Sequence, residues 1–126
     1  MITILFMNYR HLFIFIGLLT LASCGPKQEA KKTIKDFVDQ NVKTETDYSF
    51  SDFGKLDSTR YVTDSLITVM RQNANRNAAF NGAIGYGKRT ADKQLKYLPV
   101  KMSVNGSDTT FTFYLTNDLQ QVVSFK

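Results

Sequence analysis

A short apolar segment near the amino terminus decides which part of the chain is available to fold. Arg10 and His11 precede an apolar run over residues 12–19, and small residues follow up to Cys24. The run is well short of the roughly 20 apolar residues that a transmembrane helix needs. A charged end, a short apolar run and then small residues are typical of a secretory signal, which is removed from the mature protein. The sequence therefore predicts a folded domain built only from the residues that follow.

Residues 21–24, Leu-Ala-Ser-Cys, resemble the lipobox of bacterial lipoproteins. The resemblance implies cleavage before Cys24, a diacylglycerol on the Cys24 sulfur and a third acyl chain on the new amino terminus. Three acyl chains exceed the two signals that stable anchoring requires. Residues 1–23 are thus expected to form the signal peptide, with a membrane as the partner of Cys24.

The start of the signal is expected at Met7. Residues 1–6 would place an apolar patch ahead of Arg10, where a secretory signal normally has none. A start at Met7 gives residues 7–11 as a compact charged region.

The residues after Cys24 bear on where the domain is held. The residue after Cys24 is Gly25 and not Asp, and in this respect the chain resembles lipoproteins that are passed to the outer membrane. Small lipoproteins of Bacteroidetes type that are exported to the surface carry an acidic run here, whereas residues 25–28 are not acidic. Residues 47–59 also resemble a pattern in uncharacterised lipoproteins of this type. The resemblance implies an outer-membrane anchor with the domain facing the periplasm, and surface exposure is the alternative.

The composition of the mature chain excludes several chemistries. Cys24 is the only cysteine and His11 the only histidine. With Cys24 lipidated and His11 removed, the domain has no thiol or imidazole for a Cys nucleophile, a Ser-His-Asp triad, a disulfide framework or a His and Cys zinc site. The net charge of +5 falls by one with the loss of Arg10. We expect no cofactor, no metal and no nucleic-acid partner, because a nucleic-acid interface needs a clustered basic face.

The first part of the mature chain predicts a helix. Residues 24–29 are expected to comprise the lipidated cysteine and a short polar tether. A single domain is expected over residues 30–126. Apolar residues recur at three- and four-residue spacing within residues 29–42, which indicates a helix with one buried stripe. Lys27, Lys31 and Lys35 lie along one side of it. Their spacing fits ordinary solubility or a weak attraction to anionic head groups.

The middle of the chain predicts less regular structure. Tyr48 and Phe50 alternate with polar residues, which favours a short strand before Gly54. A second helix is expected to start at a cap of Ser58 or Thr63 and to end before Gly82. Its apolar stripe comprises Val62, Leu66, Ile67, Met70 and Ala74.

The last third of the chain predicts a three-stranded antiparallel meander. Apolar and polar residues alternate over residues 98–105 and 109–116, and residues 119–125 supply the third segment, with turns at Asn105-Gly106 and Asn117-Asp118. Pro99 cannot donate a ladder hydrogen bond, so we expect it at a strand start or an edge. A fourth strand is expected within residues 83–90 or 48–53.

The expected fold class is therefore α+β, with one or two amino-terminal helices on one face of a three- or four-stranded antiparallel sheet. The order of helix and meander is similar to nuclear-transport-factor-2-like and cystatin-like folds, a likeness that carries no function. The uncovered sheet face is expected to be exposed to solvent or to bind a partner. Its candidate binding residues are Lys101, Thr110, Thr112 and Tyr114.

Residues 82–88, Gly-Ala-Ile-Gly-Tyr-Gly-Lys, match the spacing of a phosphate-binding loop only in part. Arg89 stands where a Ser or Thr would hold magnesium, and no apolar strand precedes Gly82. We therefore interpret the glycines as relief for a twisted strand or a bulge.

Three functions stay open at this point. The leading hypothesis is a non-enzymatic envelope lipoprotein that binds a protein, peptide or glycan partner. The second is a glycan hydrolase with a pair of carboxylates, for which Asp47, Asp52, Asp57 and Asp64 are candidates. The third is an inhibitor-like module, similar in role to lipid-anchored periplasmic inhibitors.

Mass spectrometry of the protein from cells tests the anchor. We expect a chain that begins at Cys24 and carries the added mass of the acyl groups, because the lipobox directs both steps. An unprocessed, unacylated polypeptide free in the cytosol would contradict this prediction.

Overall fold

The computed structural model describes residues 25–90 and 93–126, so the predicted signal peptide and Cys24 lie outside the described residues. Two helices and five strands of one antiparallel sheet make up this part of the chain, which confirms the predicted α+β class. In chain order the elements are α1 (Pro26–Asn41), β1 (Tyr48–Phe53), β2 (Asp57–Thr59), α2 (Asp64–Asn75), β3 (Leu95–Val104), β4 (Ser107–Thr116) and β5 (Val122–Phe125).

Strand β3 lies at the centre of the sheet and pairs with three other strands. The strand order is β1-β3-β4-β5, and β2 pairs with the same edge of β3 as β1 does. Residues 100–104 of β3 pair with β1, and residues 95–97 pair with β2. Of the two segments proposed for the additional strand, residues 48–53 form one and residues 83–90 do not.

Pro99 lies inside this central strand, so the prediction of a strand start or an edge was wrong. The residue falls in the gap between the partners β1 and β2, where no ladder bond from its nitrogen is required. Its carbonyl accepts a hydrogen bond from the Gly54 amide at 2.7 Å. A Cβ on Gly54 would lie 3.2 Å from that oxygen, so the absent side chain allows the approach.

The turn predicted at Asn105 and Gly106 joins β3 to β4. The two strands pair from Val104 opposite Ser107 to Leu95 opposite Thr116. Both turn residues have positive φ, 50° for Asn105 and 84° for Gly106, which matches the right-handed twist of a hairpin. Asn105 also exchanges hydrogen bonds with the backbone of Asp47, so the turn fixes the start of β1.

The main core lies between α1 and one face of the sheet. Ile34 and Val38 of α1 are fully buried there, as the three- and four-residue spacing predicted. They belong to the same cluster as Phe113 and Phe125, whose rings stack at 5.4 Å between centroids. Burial of a side chain of this size contributes roughly 1.5–3 kcal/mol.

Helix α2 covers part of the opposite sheet face, which we had expected to be open. Ile67 and Met70 of α2 form a second cluster with Leu95 and Tyr114, which alternate with the residues of the main core. The Thr63 hydroxyl caps α2 by accepting from the Leu66 amide at 3.1 Å, so Thr63 rather than Ser58 is the cap.

Several boundaries differ from the predictions. Helix α1 begins at Pro26, so most of the expected tether is helical, since proline at a first helical position brings a suitable φ. Strand β2 has three residues, too few for an alternation of apolar and polar residues to show.

Leu66 of α2 is 41% exposed although it fits the apolar stripe of that helix. Within the described residues, neither helix combines the length and the apolarity needed to cross a membrane.

Two glycine substitutions should separate backbone strain from steric effects. We expect Gly106→Ala to lower the free energy of unfolding by roughly 1–2 kcal/mol, because an alanine resists the left-handed conformation. Gly82→Ala is the matched control, since neither position has an atom within 4 Å of an added Cβ and only Gly106 has positive φ. Denaturant unfolding measures both. Equal stability changes for the two variants would contradict the prediction.

Candidate functional site

The four candidate binding residues share one sheet face but differ in exposure. Lys101 pairs with Thr110 across β3 and β4, and both are exposed. Thr112 is half-buried. Tyr114 is only 8% exposed, so the expectation that it faces solvent was wrong. The reason is that α2 packs Ile67 and Met70 over it.

A polar cleft lies elsewhere, between α1, the glycine-containing loop and the turn before β5. Its volume is ≈ 490 Å³. Most of its lining consists of groups that donate or accept hydrogen bonds. The lining residues are Glu29, Lys32, Thr33, Asp36, Phe37, Gln40, Gly85, Tyr86, Gly87, Gln120, Gln121 and Val122.

One wall of the cleft is the polar flank of α1. Lys32, Asp36 and Gln40 succeed one another at four-residue spacing, which places them along one side of a helix. The Thr33 hydroxyl donates a hydrogen bond to the Leu119 carbonyl at 2.7 Å. The side-chain amide of Gln120 donates one to the Glu29 carboxylate. These two bonds tie the helix to the turn before β5.

The facing wall is a loop that carries three glycines. No strand forms over residues 81–90, so the interpretation of the glycines as relief for a twisted strand was wrong. The Gly85 amide donates to the Asn41 side chain at 3.1 Å, and the Gly87 amide donates to the Val122 carbonyl at 2.8 Å. A Cβ on Gly87 would come within 2.4 Å of the Gln121 Cβ. Glycine is therefore required where the loop passes Gln121.

Arg71 of α2 holds this loop against the sheet. Its Nε donates to the Val123 carbonyl at 2.9 Å, and its Nη2 donates to the Gly87 carbonyl at 3.0 Å. The guanidinium carbon lies 4.8 Å from the centre of the Tyr86 ring, within the range of a cation–π contact. Sequence reasoning missed Arg71, because its partners are backbone carbonyls distant along the chain.

Tyr86 has an unusual environment at the cleft wall. Its ring packs 5.7 Å from that of Phe37, while its hydroxyl is buried and has no hydrogen-bond partner among the described residues. Burial raises the pKa of Tyr86 to about 12, and the nearby charge of Arg71 opposes the rise. The hydroxyl therefore stays protonated as a hydrogen-bond donor.

The acids named from the sequence lie outside this cleft. Asp47, Asp52, Asp57 and Asp64 are all exposed, and Asp64 forms an ion pair with Arg89 at 3.3 Å. The cleft instead contains Glu29 and Asp36. In the part of the chain that the structure describes, no three His, Cys, Asp or Glu side chains are grouped closely enough to hold a metal ion.

Comparisons with known proteins found no match: no family model, no curated protein and no solved structure resembles the chain closely enough to be identified with it. The functional proposal below therefore depends on the chemistry of the cleft.

Replacement of Tyr86 by Phe should stabilise the protein. We expect the free energy of unfolding to rise by about 1 kcal/mol near neutral pH, because the variant no longer buries a hydroxyl without a partner. Tyr61→Phe is the control, since Tyr61 is 92% exposed and should change little.

The same variant should change the response to alkali. The raised pKa means that Tyr86 keeps its proton in the folded state after it has ionised in the unfolded state. Ionisation therefore favours the unfolded state, and the free energy of unfolding falls as the pH rises from about 10 to about 12. Tyr86→Phe should lack this part of the alkaline loss in denaturant titrations. An equal alkaline loss in both proteins would contradict the assignment.

Proposed function

We propose that the protein is a lipid-anchored envelope protein whose polar cleft binds a short, uncharged glycan without chemical turnover. The observation that carries the proposal is the composition of the cleft lining. Its donors and acceptors are distributed over α1, the loop and the turn before β5. The proposed anchor is Cys24 in the outer membrane, with the domain facing the periplasm.

The cleft suits a ligand that is rich in hydroxyl groups. Gln40 and Gln121 provide amides that both donate and accept, as a sugar hydroxyl does. The volume of ≈ 490 Å³ falls within the roughly 300–1,000 Å³ of small-molecule sites. Phe37 and Tyr86 add aromatic surface to a wall that is otherwise polar. A peptide or a protein segment is the competing ligand, and the experiment below distinguishes them.

The arrangement of carboxylates favours binding over hydrolysis. Glu29 and Asp36 lie on one helix, two turns apart along the same side. Glycosidases hold their two acids about 5–9.5 Å apart on either side of the scissile bond. Glu29 and Asp36 share one wall of the cleft, and Glu29 is bonded to Gln120. This geometry does not place two acids across a sugar.

The start of α1 agrees with a domain held close to its anchor. The helix begins at Pro26, two residues after the proposed lipidated Cys24. Such a short connection leaves little length for the domain to move away from the bilayer, since an extended residue spans at most about 3.3–3.6 Å. A ligand would therefore be captured at the membrane surface.

Site-specific photo-crosslinking in intact cells tests the proposed cleft. A photoreactive residue at position 40 should capture a partner or a glycan-bearing molecule, whereas the same residue at position 110 should not, because Thr110 lies on the exposed sheet face outside the cleft. Capture from position 110 and not from position 40 would assign binding to the sheet face instead.

Affinity measurements then test the ligand class. Against a panel of short glycans and peptides, we expect a glycan to bind the mature lipoprotein. Gln40→Ala and Gln121→Ala should each weaken binding about three- to ten-fold, the contribution of one hydrogen bond. Thr110→Ala should bind as the unmodified protein does. Binding of peptides alone would overturn the glycan proposal, and release of cleaved sugar would favour the hydrolase.

A further inference from the structure

Three lysines of α1 contact Phe53 at the end of β1, two through its ring and one through its carbonyl. The ammonium groups of Lys31 and Lys35 lie 5.1 Å and 5.6 Å from the centre of the Phe53 ring. The Lys27 ammonium donates to the Phe53 carbonyl at 3.3 Å. We call these four residues the Phe53 patch. It gathers three positive charges next to the helix start that follows Cys24.

The lysines of the Phe53 patch form no ion pair with an acid in the described part of the chain. The ion pair found among residues 25–90 and 93–126 joins Arg89 to Asp64, and the three lysines form none. Asp39 continues their four-residue spacing, but its carboxylate accepts a hydrogen bond from the Tyr48 hydroxyl at 3.1 Å. The patch is therefore free to attract an external anion.

This arrangement is the reverse of what helix stability favours. Like charges at four-residue spacing repel one another, as between Lys27, Lys31 and Lys35. The amino-terminal end of a helix also disfavours cations, because the helix dipole is positive there. Only Glu29 supplies an acidic side chain in the first turn, and it is bonded to Gln120 on the cleft side. A negatively charged partner would compensate for both effects.

The Phe53 patch and the cleft lie on opposite flanks of α1. The buried stripe of the helix separates the patch from the cleft. Lys31 and Lys35 lie over Phe53 of β1. Asp36 and Gln40 line the cleft. At 100° per residue, the two flanks point in roughly opposite directions. A surface that covers the patch would leave the cleft open.

We propose that the Phe53 patch binds the phosphate head groups of anionic phospholipids beside the anchor and orients the domain with its cleft away from the bilayer. The proposal rests on lipid anchoring at Cys24. Each lysine near an anionic surface is expected to strengthen the contact by roughly five-fold, and salt should weaken it.

Lysine labelling of the acylated protein in vesicles tests this orientation. The mature lipoprotein is reconstituted into phosphatidylcholine alone or into equal parts of phosphatidylcholine and phosphatidylglycerol, and the acetylation rate of each lysine is read by mass spectrometry. We expect Lys27, Lys31 and Lys35 to react several-fold more slowly on the anionic vesicles. Lys126, whose ammonium lies over the Tyr114 ring on the sheet face that α1 does not cover, should react at equal rates on both.

Matched variants and a phosphate arm complete the test. Replacement of Lys31 and Lys35 by Gln should abolish the protection of Lys27, and Lys126→Gln should preserve it. Equal rates at Lys27, Lys31 and Lys35 on both vesicle types, with the acyl mass present, would overturn the orientation while leaving the anchor intact. Protection by inorganic phosphate on phosphatidylcholine vesicles would assign the patch to a soluble anion and overturn the membrane contact. A chain without acyl mass would overturn both proposals.

Discussion

The packing of α1 on the sheet is the interaction on which the other features depend. Ile34 and Val38 are fully buried against the face that carries Phe113 and Phe125. This burial fixes the rotation of the helix about its axis, because a helix can hide only one stripe of its surface. Once the stripe is fixed, one flank must face the cleft and the other must face β1. The cleft and the Phe53 patch therefore follow from a single packing event.

The second helix completes the structure in a different way. Its apolar residues cover Tyr114 and Leu95 on the opposite sheet face, and its Arg71 reaches two backbone carbonyls at the edge of the sheet. Those bonds hold a loop that has no regular hydrogen-bonding pattern of its own. Buried backbone groups need partners, and a guanidinium with several donors can supply them. The loop can thereby form a wall of the cleft with no strand or helix within it.

Two polar features of the described structure carry a cost in stability. Tyr86 keeps a hydroxyl at the cleft wall without a partner among the described residues, which lowers stability. The Phe53 patch keeps three like charges at four-residue spacing near the helix start, where they repel one another. Groups retained against stability are expected where a ligand or a surface compensates for them. The Phe53 patch and the cleft that Tyr86 lines lie on opposite flanks of α1, and we propose one flank for the membrane and the other for a ligand.

The sequence by itself determined the elements with a strong local pattern. The stripe of α1, the cap at Thr63 as one of two choices, the Asn105-Gly106 hairpin and the α+β class could all be predicted, because spacing and turn chemistry act within a few residues. Only the tertiary structure decided that Pro99 sits between two partner strands, that α2 covers Tyr114 and that Arg71 builds the cleft wall. These features join residues that are distant along the chain, and no local pattern records which distant groups will meet.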